Sequence, residues 1–219
     1  MSNSHMPMFT PVAEIVPPGE QGVAKIDHFE VSKRASEFTS IRAAMGRRDE
    51  YVPEGKYVRL TVKGHGLMMT DTRMEQVTNY DVIHNAKGKV LIMGLGIGMV
   101  LIPILKKPEV TSVTVIEKYQ DVVDLVIPAL RAKVPEASKL GVIVADALEW
   151  MPPKGVKFDT LYFDLWADIC TDNLEEITFL KRRFARRKNP GAWMGAWVED
   201  KLRYEDRRSK REERRWGRF

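Results

Sequence analysis

Cysteine is nearly absent from the sequence: among 219 residues only Cys170 carries a thiol. A single cysteine cannot close an internal disulfide, and it cannot supply the several thiolates of a cysteine-rich zinc site. Histidines are also few, and they lack the paired spacing of metal ligands. They are His5, His28, His65 and His84. These absences exclude a fold held by disulfides and predict no bound metal.

Long apolar runs are also missing. The longest, from Ile97 to Leu105, contains Pro103 and is far shorter than the roughly 20 residues that span a membrane. The stretch from Met1 to Met8 is polar and lacks the apolar region of a secretory signal. We therefore expect no contact with a membrane and, with one cysteine, a reducing, cytoplasmic location.

Basic residues outnumber acidic ones, but only towards one end of the chain. The sequence has 35 lysines and arginines against 30 aspartates and glutamates, a net charge of +5. From Lys181 onward the net charge is +9, whereas residues 1–180 carry −4. An excess of positive charge favours an anionic partner, so the segment 199–219 is a candidate for contact with nucleic acid. Because acidic residues are interspersed in it, a solvated helix with internal ion pairs is the alternative.

Residues 1–50 form the first segment. Prolines near the start and little periodicity predict an irregular lead-in. A short amphipathic helix over 32–45 follows, because Phe38, Ile41 and Met45 recur there at helical spacing.

Residues 51–86 have a different pattern. Apolar and polar side chains alternate from Lys56 to Met69, and Gly64-His65-Gly66 turns the chain. This pattern predicts a β-hairpin, which a linking helix connects to the rest of the chain.

Residues 87–198 alternate short apolar runs with helical segments. The candidate strands are 89–93, 112–116, 141–145, 158–163 and 192–198. The candidate helices are 97–107, 119–131, about 146–151 and 172–188. The predicted fold class is α/β: a Rossmann-like open, mostly parallel sheet with helices on both faces. The small β-hairpin segment precedes it, and a charged, basic C-terminal helix or tail over 199–219 follows it.

A glycine turn, Gly94-Leu95-Gly96-Ile97-Gly98, directly follows the first strand of this sheet. Glycine tolerates positive φ and has no Cβ to obstruct a ligand, although a tight strand-to-helix turn favours the same residues. Met99 stands where a dinucleotide fingerprint requires its third glycine, which disfavours NAD and FAD. No Gly-Lys-Ser/Thr follows, so a Walker phosphate loop is excluded.

Acidic residues follow the next three strands. Glu117 comes 23 positions after Gly94, where a carboxylate can accept both hydroxyl protons of a ribose. Asp146 is suited to accept from an adenine amino group, with helix capping as the alternative. Asp164 follows an apolar strand. Because ligands bind at the carboxyl ends of parallel strands, these positions predict a ligand that contains a nucleoside.

At these residues the chain resembles the class I S-adenosylmethionine-dependent methyltransferase superfamily, and most of all its spermidine synthase branch. The similarity runs from about Tyr57 to Val198. The matching stretches are Val90 to Gly98, Val115-Ile116-Glu117, Ala145-Asp146-Ala147, Tyr162-Phe163-Asp164 and Asn189-Pro190-Gly191-Ala192. Upstream, Gly66 to Asp71 with Glu75-Gln76 is similar to the hairpin and glutamine-bearing segment of spermidine synthases.

The resemblance implies roles for individual residues. The cofactor, S-adenosylmethionine or its decarboxylated form, would be bound by Gly94, Leu95, Gly96, Gly98, Glu117, Lys118, Asp146 and Ala147. Asp164 and Asp168 would be catalytic and would remove a proton from the acceptor. Glu75, Asp81 and Trp166 would bind the acceptor.

Three features depart from that pattern. Aminopropyltransferases carry an aspartate in the glycine turn that binds the cofactor amine, and Ile97 stands in its place. Their two aspartates after the fourth strand are three positions apart, whereas Asp164 and Asp168 are four apart. After Val198 no counterpart of the superfamily's sixth and seventh strands is evident.

The predicted function is that of an S-adenosylmethionine-dependent methyltransferase acting on a small-molecule or macromolecular acceptor. Two alternatives stay open. The first is a polyamine aminopropyltransferase that uses decarboxylated S-adenosylmethionine. The second is a non-catalytic module with a degenerate methyltransferase fold that binds nucleic acid or a partner. A homodimer is compatible with each of these hypotheses.

Overall fold

The structure is a computed structural model that describes residues 6–45 and 51–216. The strands are β1 (Gly19–Gln21), β2 (Ala24–Val31), β3 (Gly55–Val62), β4 (Gly66–Thr70), β5 (Gly88–Met93), β6 (Val110–Glu117), β7 (Leu140–Val144), β8 (Phe158–Phe163) and β9 (Lys188–Ala196). The helices are α1 (Lys33–Ala44), α2 (Arg73–Thr78), α3 (Tyr80–Asn85), α4 (Leu101–Lys106), α5 (Gln120–Lys133), α6 (Asn173–Phe184) and α7 (Glu199–Trp216). Short 3-10 turns lie at Val12–Glu14, Pro135–Lys139 and Ala185–Arg187.

The first sheet is antiparallel and has the order β1-β2-β3-β4. The hairpin predicted over 56–69 is confirmed as β3 and β4, with Gly64 and Gly66 at φ +87° and +80° in its turn. The irregular lead-in predicted for the start of the chain is wrong from β1 onward. Alternate residues of β2, Ala24 and Ile26, point into the core, and β2 pairs with β3 along its whole length. This burial stabilises β2. The prolines that suggested an irregular lead-in lie upstream of the strand and do not interrupt it.

The helix predicted over 32–45 is present as α1. The Ser32 hydroxyl caps it by accepting a hydrogen bond from the backbone N–H of Ala35 at 3.3 Å. Its apolar stripe, however, faces solvent: Phe38, Ile41 and Met45 are 68%, 60% and 81% exposed. Helical spacing therefore located the helix but not the direction of its apolar face.

The second sheet has the order β7-β6-β5-β8-β9, and all of its pairings are parallel. From the central strand β5 the chain adds β6 and then β7 on one side. It then crosses back and adds β8 and β9 on the other side of β5. The predicted Rossmann-like class is confirmed. The predicted helix at 146–151 is only a turn, in which the N–H groups of Glu149 and Trp150 bond to the carbonyl of Asp146.

One hydrophobic core joins the two sheets. Val90 and Ile92 of β5 face a cluster that also contains Ile26, Val58 and Leu60 of the antiparallel sheet. The alternate β5 residues, Leu91 and Met93, face a second cluster packed beneath α6. The hairpin is therefore fixed against the parallel sheet through shared packing.

The C-terminal part of the fold consists of β9 and then α7. Within the described residues β9 is the last strand. The helix α7 packs against α6, where Glu199 forms an ion pair with Lys181, and Leu202 of α7 is completely buried. Among the described helices none combines the length and the apolar composition needed to cross a membrane.

Candidate active site

A cavity of about 250 Å³ lies at the carboxyl edge of the parallel sheet, beneath the β3–β4 hairpin. Backbone hydrogen bonds donated by residues just beyond the strand ends hold the residues that line the cavity at the same height along this edge of the sheet. Gly94 donates to the carbonyl of Ile116, Asp164 to that of Met93 and Trp197 to that of Phe163, each at 2.8 Å. The hairpin side of the lining comprises Leu60, Val62, His65, Met68 and Met69. The sheet side includes Gly94, Leu95, Gly96, Glu117, Lys118, Tyr119, Asp146, Ala147, Leu148, Asp164, Leu165, Trp166, Glu176 and Trp197.

The glycine turn is shaped by protein neighbours. Gly94, Gly96 and Gly98 all have positive φ, at +98°, +52° and +78°. A Cβ on Gly94 would collide with the carbonyl oxygen of Asp164, and one on Gly96 with the Sδ atom of Met69. The Met69 thioether also accepts a hydrogen bond from the N–H of Ile97 at 3.3 Å. The absence of side chains thus lets the hairpin rest on the turn.

Gly98 plays a different part from the other two glycines. It is absent from the cavity lining, and its missing Cβ would lie 3.1 Å from a methyl group of Leu130 in α5. The missing side chain at this position permits close packing between the turn and that helix, and the predicted cofactor contact of Gly98 stays a prediction.

Glu117 is almost fully buried at the end of β6 and joins two loops. One carboxylate oxygen accepts a hydrogen bond from the N–H of Leu95 at 2.8 Å, and the other accepts from the N–H of Tyr119 at 2.9 Å. Burial raises the pKa of the Glu117 carboxyl, and hydrogen bonds from these backbone groups oppose the rise. The side chain thus supports the glycine turn and at the same time faces the cavity.

Asp146 and Lys118 form an ion pair of 2.9 Å at the rim of the cavity. The second oxygen of Asp146 accepts from the N–H of Leu148 at 2.9 Å. The hydrogen bond from Lys118 lowers the pKa of Asp146, so this acid is ionised at neutral pH. Ala147 is buried beside them and supplies an apolar wall.

Two further acids, Asp164 and Glu75, line the cavity. Burial raises the pKa of Asp164 to about 7. Burial also raises the pKa of Glu75 to about 8, and the nearby negative charge of Asp164 contributes to that rise. Near neutral pH this pair can hold or release a proton, which is the requirement for a general acid or base.

A buried hydrogen-bond chain fixes Glu75 relative to the sheet. The Tyr162 hydroxyl in β8 donates to the amide oxygen of Asn79 at 2.7 Å. The Asn79 amide nitrogen donates to the backbone carbonyl of Glu75 at 2.9 Å. The helix that carries Glu75 is thereby tied to β8, the strand that Asp164 directly follows.

Two predicted site residues lie outside the cavity. Asp168 is exposed on the loop after β8, where its backbone carbonyl accepts from the side chain of Asn173 at 2.8 Å. Asp81 is exposed on α3, with its side chain away from the cavity lining. The structure does not bring either residue to the cavity, because one lies on a loop and the other on a helix rather than at the sheet edge.

Trp166 does line the cavity, as predicted, and its indole N–H donates to Glu176 at 2.7 Å. Sequence reasoning missed Glu176, Trp197 and the hairpin residue Met69. Trp197 was discoverable, because it directly follows the fifth parallel strand and so obeys the strand-end rule. Nothing local in the sequence indicates the other two. Among the described residues no cluster of histidine, cysteine and acidic side chains is suited to hold a metal ion.

The spermine/spermidine synthase domain model matches residues 73–190, which is more than half of the chain. Similar solved structures include the CcbJ methyltransferase from Streptomyces caelestis, at 16% identity and a TM-score of 0.44 over 56% of this chain and 48% of that one. Another is the O-methyltransferase TomG from Streptomyces achromogenes, solved with SAM, at 16% identity and a TM-score of 0.44 over 76% of this chain and 71% of that one. The chain thus spans about half the length of the first and most of the second.

No curated protein matches the chain. The expectation of a cofactor of the S-adenosylmethionine type is confirmed by the family match. The chain belongs to the spermine/spermidine synthase domain family, as its motifs predict.

Proposed function

We propose that the chain is an S-adenosylmethionine-dependent methyltransferase whose acceptor is an amine. One observation carries the proposal: Asp164 and Glu75, with pKa values raised to about 7 and about 8, line the same cavity as the glycine turn and Glu117. Alkyl transfer from S-adenosylmethionine to an amine requires a nucleoside site and a proton acceptor within one enclosure, so that the reactants are aligned and the nitrogen is deprotonated.

The residues at one end of the cavity fit the nucleoside part of such a cofactor. Each oxygen of Glu117 accepts one backbone N–H and has capacity for another hydrogen bond, which suits a ribose hydroxyl. Asp146, kept ionised by Lys118, would accept from an adenine amino group, with Ala147 and Leu148 as apolar surface. When bound, the cofactor supplies an alkyl carbon made reactive by a sulfonium.

The residues at the other end suit a positively charged amine. An ammonium group must lose a proton before its nitrogen can attack, and Asp164 is ionised in enough molecules near pH 7 to accept it. As the pH rises towards 8, the Glu75 carboxyl ionises and adds a second negative charge next to Asp164. The indoles of Trp166 and Trp197 line the same cavity and offer electron-rich faces that attract cations.

The choice of methyl transfer rests on Ile97. Aminopropyltransferases, which the chain resembles, bind the cofactor amine through an aspartate at the matching position, whereas the Ile97 side chain is completely buried and lies outside the cavity lining. Position 97 therefore offers no carboxylate to select the free amine of decarboxylated S-adenosylmethionine. A carboxylate there would also repel the carboxylate of the complete cofactor.

Aminopropyl transfer is the second candidate, and the family match over residues 73–190 supports it. The Asp164 and Glu75 pair would perform the same proton transfer in that reaction, since the acceptor is again an amine.

Label transfer tests the proposal. The protein is incubated with methyl-labelled S-adenosylmethionine and a panel of monoamines, diamines and polyamines at pH 8, and labelled products are counted. We expect label on an amine, and a loss of about 100-fold or more in Asp164→Asn.

Asp168→Asn is the matched variant and should retain activity, because its side chain lies outside the cavity. No labelled amine in any reaction would contradict the proposal. Loss of activity in Asp168→Asn with retention in Asp164→Asn would show that the assigned base is wrong. Aminopropylated products from the decarboxylated cofactor alone would favour the second candidate.

A further inference from the structure

The C-terminal helix α7 projects from the body of the protein. Its first turns are anchored by buried Leu202 and by Glu199, which bonds to Lys181 and to Arg203 at 2.8 Å each. From Arg207 to Arg214 every side chain is exposed. This stretch therefore makes little contribution to the core, and its charges are available to a partner.

The basic side chains on this exposed stretch fall into two groups. Arg208 pairs with Glu212 at 2.9 Å, and Lys210 pairs with Asp206 at 2.8 Å. The remaining arginines, Arg207, Arg211 and Arg214, form no ion pair with any residue that the structure describes. The positive charge of these three arginines is therefore not neutralised by an acidic side chain of the described residues.

Tyr204, Arg207, Arg211 and Arg214 share one face of the helix, because they are spaced by three, four and three positions. We call this face the arginine stripe. At 3.6 residues per turn it lies roughly opposite Leu202, so it points away from the protein body. Like charges on successive turns destabilise an isolated helix, and a bound polyanion would relieve that repulsion.

We propose that the arginine stripe binds single-stranded nucleic acid. Arginine guanidinium groups on successive turns match a repeating phosphate backbone. Tyr204, 61% exposed at one end of the stripe, offers an aromatic ring on which an unpaired base can stack.

The composition of the helix argues against a membrane surface and against a protein groove as the partner. A helix that lies on a membrane or in a protein groove needs an apolar face, and residues 207–214 contain no apolar side chain. A polyanion with accessible bases fits both the arginines and the tyrosine. This inference concerns a surface outside the cavity and stands independently of the proposed reaction.

The test uses the full-length protein and a fluorescein-labelled, 20-nucleotide single-stranded RNA, with anisotropy measured from 50 to 250 mM KCl. The stripe variant is Arg207→Gln/Arg211→Gln. Its matched control is Arg208→Gln/Lys210→Gln, which removes the same charge from the same helix but takes it from ion-paired positions. Circular dichroism checks that both variants stay folded.

We expect the stripe variant to bind about tenfold more weakly and the control less than threefold. The magnitude of the slope of log K against log salt should fall by about 1.4 in the stripe variant, as expected for two lost phosphate contacts to a single strand. Tyr204→Ala should also weaken binding, without changing that slope.

Equal weakening in the two variants would overturn the proposal, because net charge alone would then explain the affinity. Failure of the wild-type protein to bind the RNA at 50 mM KCl would also overturn it. So would tighter binding to vesicles rich in phosphatidylserine, or equal affinity for a duplex of the same sequence.

Discussion

Glu75 and Asp164 are carboxylic acids that the fold places in one cavity, and burial raises the pKa of both. These raised pKa values make the stability of the folded protein depend on pH. Because the folded-state pKa lies above the unfolded one, the folded protein holds extra protons between about pH 4 and pH 8. The stability associated with these groups is present at low pH and is lost as the pH rises through that window.

Glu75→Gln should therefore gain stability relative to the wild type as the pH rises. With a folded pKa of about 8, Glu75 is neutral at pH 6 and ionised at pH 9. The relative gain between these pH values is about 2.6 kcal/mol, or roughly 5–10 °C in Tm. Thermal unfolding at both pH values measures it. Exposed Glu30→Gln should show no such change, and a parallel pH profile for Glu75→Gln and the wild type would contradict the raised pKa.

Glu117→Ala tests the acid at the end of β6. The substitution leaves the N–H groups of Leu95 and Tyr119 without their acceptor, which costs about 2–3 kcal/mol of stability. It also removes the proposed ribose contact, so affinity for S-adenosylhomocysteine should fall at least tenfold. Urea unfolding and calorimetric titration check the two effects. An unchanged dissociation constant would show that the ribose assignment is wrong.

At the scale of elements, the β3–β4 hairpin closes the cavity, and its contact with the glycine turn depends on Gly96. Met69 occupies the place that a Cβ at that position would take. The sequence could predict both elements, because alternation and glycine spacing are local signals. Their contact could not be predicted, since it joins residues almost thirty positions apart and depends on how the hairpin packs.

Gly96→Ala should destabilise the protein more than Gly64→Ala. Both glycines have positive φ, so both substitutions carry a conformational cost of about 1 kcal/mol, but only the first introduces a collision. We expect Gly96→Ala to cost about 2 kcal/mol more. In a double-mutant cycle measured by urea unfolding, Met69→Ala should recover part of that cost. Additive effects of the two substitutions would contradict the contact.

At the scale of the whole molecule, the N-terminal segment is part of the core. Val12 and Val16 are completely buried, and Phe9 and Ile15 nearly so. Asp71 ties the segment down by accepting from the N–H of Val12 at 3.3 Å and from that of Val58 at 2.6 Å. The prolines suggested a loose lead-in, but the packing of its apolar residues could be recognised only once the antiparallel sheet was in place.

Val12→Ala and Val16→Ala should each lower the free energy of unfolding by about 1–3 kcal/mol through lost burial. Val23→Ala, at a position 39% exposed, should change it by less than about 0.5 kcal/mol. Urea titration compares the three variants. Equal effects at all three positions would show that the segment does not contribute to the core.

The parallel sheet and half of the cavity follow from sequence, for one physical reason. Strand ends in such a sheet converge, so Gly94, Glu117, Asp146 and Asp164 could be placed together before the structure was known. Asp168 could not, because the loop that carries it turns outward. The acceptor end of the cavity is built by contacts between distant segments, which no local pattern encodes.

The central claim is that the cavity binds S-adenosylmethionine-type compounds and prefers the complete cofactor. Calorimetric titration of the wild-type protein with S-adenosylmethionine, its decarboxylated form, S-adenosylhomocysteine and NAD tests it most directly. We predict binding of the adenosyl sulfur compounds but not NAD, with at least tenfold preference for S-adenosylmethionine over the decarboxylated form, a difference of about 1.4 kcal/mol. Failure to bind any adenosyl sulfur compound, or the reverse preference, would contradict the account.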